Sequence, residues 1–158
     1  MLRKIPESYL WFVLVTEAVG GLSGWLSREG IRLYPKFASQ TPLAPPGWVF
    51  PVVWVILYAL MGFGAARVWE APPGRYRSAG LNLYVVQLVI NFFWSLIFFQ
   101  AGNYGFALVW LLLLLVMASA MALAFHNADP LAGRLQIPYL IWLLFAAYLN
   151  YVVWLKNP

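Results

Sequence analysis

Three apolar stretches of the sequence carry tryptophan or tyrosine together with amide side chains at intervals of three and four residues. On an α-helix this spacing places the side chains on one face. The three sets are Trp54, Tyr58 and Met61; Gln87, Asn91, Trp94 and Phe98; and Tyr139, Trp142, Ala146 and Asn150. Flat rings with a few amides suit a large, flat, mostly apolar ligand. The alternative is that the three faces pack against one another, with the amides making interhelical hydrogen bonds.

Redox chemistry is the one reaction type that these faces could support. Indole both stacks and is readily oxidised, so Trp54 and Trp142 are the candidate catalytic residues if the protein is an enzyme. Other catalytic groups are scarce, because the chain has one histidine, His126 in a predicted loop, and no cysteine. It also has no P-loop or dinucleotide fingerprint. We therefore expect no metal site and no required cofactor, and the sequence leaves a binder, a transporter and an enzyme open.

Glu17 is the one carboxylate within a predicted membrane helix. An ionisable residue in that position marks a functional site by default, although a paired glutamate could be purely structural. The absence of further charge inside the spans argues against a proton-coupled pump. Gly20 and Gly24 beside it form a GxxxG pair, which predicts close approach of another helix.

The composition requires membrane helices to position these side chains. The chain has 158 residues, of which 63% are hydrophobic and 9% are charged, too few for a soluble surface. Residues 37–66, 78–125 and 135–155 carry no formal charge, and about 20 residues are enough for one helical span. Strand-like alternation is absent, so we predict an all-α integral membrane bundle.

Five spans follow, because the polar segment QAGNYG at residues 100–105 divides the longest uncharged stretch. We expect them in a single membrane domain, 1–158, at residues 8–27, 47–69, 79–100, 104–125 and 130–155. The fifth has the clearest start, since Asp129 can act as N-cap and Pro130 suits the first helical position.

The net charge of +5 is interpreted by side of the membrane rather than as a nucleic-acid signal. Five spans put six basic residues on the N-terminal side and four on the other. The first group is Arg3, Lys4, Arg67, Arg75, Arg77 and Arg134, and the second is Arg28, Arg32, Lys36 and Lys156. The difference favours a cytoplasmic N-terminus in a multi-pass protein whose membrane the sequence does not specify.

Prolines are concentrated in the predicted loop 28–46, before the second span. Pro42, Pro45 and Pro46 fix their own φ and push the preceding residues to extended conformations, which predicts a stiff lid. We expect Pro46 to start the second span, Trp48 to lie at the interface, and Pro51 to loosen the first turns above Trp54.

The motifs resemble those of the tryptophan-rich sensory protein and translocator protein family. The resemblance runs in order through APPGWVFPVVWVILYALMG (44–62), LYVVQLVINFFWSLIFF (83–99) and DPLAGRLQIPYLIWLLFAAYLNYVVW (129–154). It implies a five-helix membrane protein that binds porphyrins, haem and sterols in a pocket beneath the first loop. Family members act as stress sensors, transporters and drug receptors, and some bacterial relatives degrade protoporphyrin in light.

The resemblance also implies a set of pocket residues. They are Trp54, Tyr58, Asn91, Trp94, Phe106, Trp142 and Ala146. A sterol pattern is matched by Leu149, Tyr151 and Lys156, although an interfacial tyrosine with a snorkelling lysine explains these residues equally well. The expected partners are membrane lipids and the porphyrin or sterol ligand.

Two departures from the family pattern stand out. Leu43 replaces a tryptophan before the paired prolines, so the lid has one ring fewer. Asn82 and Val86 stand where relatives have a GxxxG, which leaves a homodimer through the third span open.

Overall fold

The computed structural model describes residues 4–37, 43 and 45–158, excluding the side chains of residues 35–37. Every regular element in these ranges is helical, which confirms the predicted fold class. The elements are α1 (Glu7–Leu26), α2 (Arg28–Phe37), α3 (Val49–Trp69), α4 (Arg75–Ser95) with a π-helical extension (Leu96–Gln100), α5 (Tyr104–Ala128), α6 (Pro130–Arg134) and α7 (Ile137–Lys156). Five helical segments are long and apolar enough to span a membrane: α1, α3, α4 with its extension, α5, and α6 with α7.

Tight turns connect the last three spans. Asn103 caps α5, because its Oδ1 accepts a hydrogen bond of 3.2 Å from the Phe106 N–H. Gly102 before it has a φ of +64°, a conformation that favours glycine. The polar break predicted between the third and fourth spans is thus a capped turn.

Helix α2 replaces the first half of the predicted loop 28–46. It follows α1 after Ser27 alone, and the Ile31 N–H donates to the Ser27 carbonyl at 2.9 Å. Its outer side carries an ion pair of 2.7 Å between Arg32 and Glu29, and Arg32 holds the pKa of Glu29 below its usual value. The segment is a helix because its inner side finds a tertiary partner, the π-helical extension of α4.

The π-helical extension forms the ring-bearing end of the third span. Here the Ala101 N–H bonds to the Leu96 carbonyl at 2.8 Å, one residue further back than in an α-helix. A Cβ at Gly30 would collide with the Phe99 carbonyl, so only glycine lets α2 approach so closely. Gln100 fixes the contact by accepting a hydrogen bond of 3.1 Å from the Gly30 N–H.

Small residues bring the spans together elsewhere. A Cβ at Gly62 would lie 2.8 Å from the Val13 Cα, so α3 packs directly on the backbone of α1. The core between α3, α4, α5 and α7 is apolar, with Met61, Phe125 and Leu143 fully buried. The outer faces remain rich in exposed Leu, Val and Ile, as expected where lipid is the solvent.

The start of α3 differs from the sequence prediction. Helix α3 begins at Val49 rather than Pro46, although the Val49 N–H does bond to the Pro46 carbonyl at 3.0 Å. Pro51 therefore lies in the first turn, where its missing N–H has no intrahelical partner to lose. It does not loosen the turns above Trp54.

Asp129 precedes Pro130 at the start of α6 as predicted, but its side chain makes no capping bond. Instead its carboxylate accepts a hydrogen bond of 2.5 Å from Arg67 Nε. This ion pair ties the end of α3 to the turn between α5 and α6.

Candidate functional site

A cavity of about 860 Å³ lies in the half of the bundle next to α2. Its walls are the C-terminal halves of α1 and α4 and the N-terminal half of α3, which lie towards the same side of the membrane, together with α7 between Trp142 and Asn150. Pro45, Pro46 and Gly47 line it before α3, and Ile31 and Tyr34 line it from α2. Burial raises the pKa of Tyr34 to about 12, so its phenol is neutral.

Aromatic rings form most of the wall. Trp54 stacks on Tyr58 with ring centroids 5.3 Å apart, and its ring meets that of Trp142 edge-on at 6.5 Å. In the part of the wall formed by α4, Trp94 stacks on Phe98 at 5.1 Å. A flat ligand entering the cavity would therefore meet ring surfaces from α3, α4 and α7.

A chain of hydrogen bonds closes the floor of the cavity. The Tyr58 hydroxyl donates to Asn91 Oδ1 at 2.6 Å, and Asn91 Nδ2 donates to the Tyr139 hydroxyl at 2.8 Å. Tyr139 in turn donates to Gln87 Oε1 at 2.8 Å. Tyr58 and Asn91 line the cavity, whereas Tyr139, Gln87 and Met61 lie beyond it with no exposed surface. These amides make the interhelical bonds of the packing interpretation, and they do so at the floor of a ring-lined cavity.

Among the described residues that line the cavity, two polar atoms are buried without a hydrogen-bond partner. They are the indole nitrogen of Trp142 and Oε1 of Glu17. A second indole of the cavity wall is satisfied, since Trp94 Nε1 donates to Asn150 Oδ1 at 3.2 Å. A ligand with a hydrogen-bond acceptor near Trp142 and a donor near Glu17 would satisfy both atoms.

Six of the seven predicted pocket residues line this cavity. They are Trp54, Tyr58, Asn91, Trp94, Trp142 and Ala146. Phe106 is not among the lining residues, because the first turn of α5 faces outward there. Its side chain is 50% exposed and its ring lies 5.9 Å from that of Trp110.

Only some of the predicted lid residues line the cavity. Pro45 and Pro46 line the cavity, while Trp48 is 69% exposed and does not reach it. Pro42 lies outside the described residues. The sterol pattern is also divided, because Leu149 lines the cavity whereas Tyr151 is exposed against Trp154, and Lys156 is exposed at the end of α7. Residues two apart on a helix face nearly opposite directions, so Leu149 and Tyr151 do not share a face.

The contribution of α1 is the feature that the sequence analysis missed. The two glycines of the GxxxG pair have different surroundings. A Cβ at Gly20 would collide with the Tyr58 ring, whereas a Cβ at Gly24 would meet no atom within 4 Å. Gly20 therefore allows close packing as predicted, and Gly24 leaves space in the cavity. The sequence signal was available, since Glu17, Gly20, Gly21 and Gly24 share one helical face.

Side chains that could bind a metal ion are dispersed over the described residues. Among residues 4–37, 43 and 45–158, no three His, Cys, Asp or Glu side chains lie close enough together to hold a metal ion.

Comparison with known proteins gives consistent matches. Residues 12–155 match the model of the TspO/MBR family. The chain is 40% identical to the translocator protein of Bos taurus over 149 residues, covering 92% of this chain and 88% of that protein. It is 42% identical to the translocator protein of Homo sapiens over 137 residues, which cover 85% and 80% of the two chains. It is also 37% identical to the tryptophan-rich protein TspO of Chlorobaculum tepidum over 123 residues, or 72% and 73%.

Proposed function

The chain belongs to the TspO/MBR family of membrane proteins, and from this premise we propose that it binds porphyrin or haem and sterol-like lipids in the cavity, acting as a sensor or translocator. The observation that carries the proposal is the ring-lined cavity of about 860 Å³ between four spans. Pockets for drug-sized ligands measure roughly 300–1,000 Å³ and combine apolar walls with a few polar groups. A tetrapyrrole is a flat ligand of this class.

The ring surfaces support a tetrapyrrole in particular. Trp54 and Trp142, which meet edge-on, and Trp94 all line the cavity and would contact a macrocycle bound there. The unpartnered Trp142 N–H supplies one polar contact. The carboxylates of a porphyrin would lie towards α2, where Arg28 and Arg32 are exposed.

Support for a sterol-like ligand comes from the cavity rather than from the sequence pattern. Leu149 is the only one of the three pattern residues that lines it. A rigid apolar ring system would fit the same walls, and bilayer lipids would cover the exposed apolar outer surface.

The alternative function is light-dependent degradation of protoporphyrin. The edge contact between Trp54 and Trp142 favours it, because two oxidisable indoles would border the bound pigment. An excited porphyrin could then accept an electron from an indole and pass it to oxygen, and the reactive oxygen species formed would oxidise the macrocycle. A small-molecule transporter is the second alternative, and it would require the layer of Tyr139 and Gln87 beneath the cavity to open.

The experiment is a titration of purified protein with protoporphyrin IX, in darkness and then in light. Saturable binding in the dark is expected, and its absence would refute the proposal. Decay of porphyrin absorbance under illumination, compared with porphyrin in detergent alone, tests the alternative.

Tryptophan variants separate a binder from an enzyme. We expect Trp54→Phe and Trp142→Phe to retain dark binding within a few fold, because phenylalanine keeps most of the apolar area. If the protein degrades the pigment, both variants should abolish the light-dependent decay, while Trp11→Phe, on the exposed face of α1, should not. Equal decay in all four proteins would assign the chemistry to oxygen and light alone.

A further inference from the structure

Glu17 is the only charged side chain among the described residues that line the cavity. It lies in the middle of α1, ten residues from the first residue of that span, Glu7. Its Oε1 is buried and has no hydrogen-bond donor. Carboxylates within a membrane span are costly and are normally paired, so an unpaired one facing a cavity indicates a partner that is not part of the chain.

The sequence of α1 keeps the space next to this carboxylate open. Gly21 and Gly24 lie one and two turns further along the same face, and a Cβ at either would meet nothing within 4 Å. Both glycines line the cavity with Glu17. A ligand group can therefore reach the carboxylate without displacing a side chain of α1.

The two arginines of α2, whose side chains the structure describes, have other partners. On α2, Arg28 stacks over the Trp25 ring at 4.2 Å and donates to the Trp25 carbonyl at 2.8 Å. Arg32 is paired with Glu29. Neither side chain lines the cavity, so no described cation of the chain neutralises Glu17 there.

We propose that Glu17 makes this cavity a site for flat apolar ligands that carry a protonated amine. The carboxylate supplies the counter-ion, and the surrounding rings supply both stacking surface and the cation–π attraction typical of ammonium sites. This inference rests on the proposed function only in that the cavity must bind a ligand. A neutral ligand of the same shape gains the stacking but leaves the carboxylate unpaired.

The test compares two fluorescent tricyclic compounds of nearly equal size in neutral detergent at neutral pH. 9-Aminoacridine is a cation under these conditions and acridine is neutral. We expect the wild-type protein to bind 9-aminoacridine at least about tenfold more tightly, the smallest effect expected when a desolvated charge pair is formed. Glu17→Gln should remove this preference by weakening 9-aminoacridine alone.

The matched control is Glu29→Gln, which changes the net charge equally on the exposed side of α2 and should keep the preference. Equal affinities of the two compounds for the wild-type protein would overturn the inference, whatever the folding of the variants. A preference that survives in Glu17→Gln would also overturn it.

Protoporphyrin IX titrated against the same preparations distinguishes this inference from the proposed function. Dark porphyrin binding without any preference for 9-aminoacridine would leave the proposed function standing and reject the role of Glu17. A preference for 9-aminoacridine over acridine without porphyrin binding would reject the tetrapyrrole as a ligand and retain the amine site.

Discussion

Four side chains at the floor of the cavity satisfy one another's hydrogen bonds in apolar surroundings. Asn91 uses both ends of its amide, accepting from Tyr58 and donating to Tyr139, and Tyr139 passes the chain on to Gln87. Buried networks of this kind stabilise only when every member is paired. Asn91 is therefore both a wall of the cavity and a structural bond between α3, α4 and α7.

Replacing Asn91 with leucine should lower thermal stability as well as weaken porphyrin binding. From the sequence alone we would expect an intact fold, but the substitution leaves the Tyr58 donor without its acceptor, and a buried unsatisfied group costs about 1–3 kcal/mol. Thermal unfolding in detergent measures the effect. Asn127→Leu, at an exposed amide, should change little. An unchanged melting temperature would contradict the network.

The sequence predicts which residues share a face but not which polar atoms stay free. The spacing of Trp54 and Tyr58, and of Asn91 and Trp94, predicts that each pair shares a helical face, because helix periodicity fixes direction, and only the family resemblance implies that these faces line a pocket. It could not show that the Trp94 N–H is bonded to Asn150 while that of Trp142 has no partner. That difference depends on how α4 and α7 pack, which periodicity does not specify.

At the scale of elements, the spans follow from uncharged length, whereas α2 and the π-helical extension depend on tertiary contact. Residues 28–37 carry charges and a proline, which resembles a loop when considered alone. The rings of Tyr34 and Phe99 meet at 5.3 Å, and this contact gives α2 a surface to pack on. The sequence also does not predict that the hydrogen bonding changes from α-helical to π-helical near Phe98.

Helix α1 offers a pair of glycine substitutions with opposite expected effects. Gly20→Ala should destabilise the protein, since its methyl group would collide with the Tyr58 ring. Gly24→Leu should leave the melting temperature unchanged or raise it, because glycine is about 1 kcal/mol worse than alanine or leucine within a helix. However, the leucine side chain would fill the cavity and weaken porphyrin binding. The melting temperature measures stability, and a titration with protoporphyrin IX in the dark measures binding. Equal effects of the two variants on both quantities would contradict the close contact at Gly20 and the open space at Gly24.

The proline segment before α3 should control how fast a ligand leaves. Pro45 and Pro46 line the cavity and restrict their own backbone, so replacing both with alanine removes preorganisation but leaves the deep rings in place. We expect faster dissociation of protoporphyrin with a smaller change in the association rate. Pro130→Ala, at the far end of the bundle, is the control. Stopped-flow dissociation rates equal to wild type would refute a lid at this position.

Across the whole molecule, the cavity occupies one half of the bundle and the packed core occupies the other. The lining stops at Tyr58 and Asn91, and the next layer contains Met61 with no exposed surface. A sensor needs only this arrangement. A translocator that moves its ligand across the membrane must expose the layer of Met61 to water at some stage.

Because the sequence contains no cysteine, single introduced cysteines can test whether the layer of Met61 becomes exposed to water. Gly24→Cys places a thiol in the open part of the cavity, and we expect a membrane-impermeant maleimide to label it in proteoliposomes, with protoporphyrin slowing the reaction. Met61→Cys, which keeps a sulfur but shortens a fully buried side chain by two heavy atoms, should stay unlabelled with and without protoporphyrin if the protein binds or senses its ligand. Labelling of Met61→Cys that increases when protoporphyrin is added would instead show that the floor opens, which a transporter requires.

Asn157→Cys, just beyond the end of α7, is the control for maleimide access. Denaturing the protein before labelling confirms that the Met61→Cys thiol is intact, so that a lack of reaction in the folded protein reports burial.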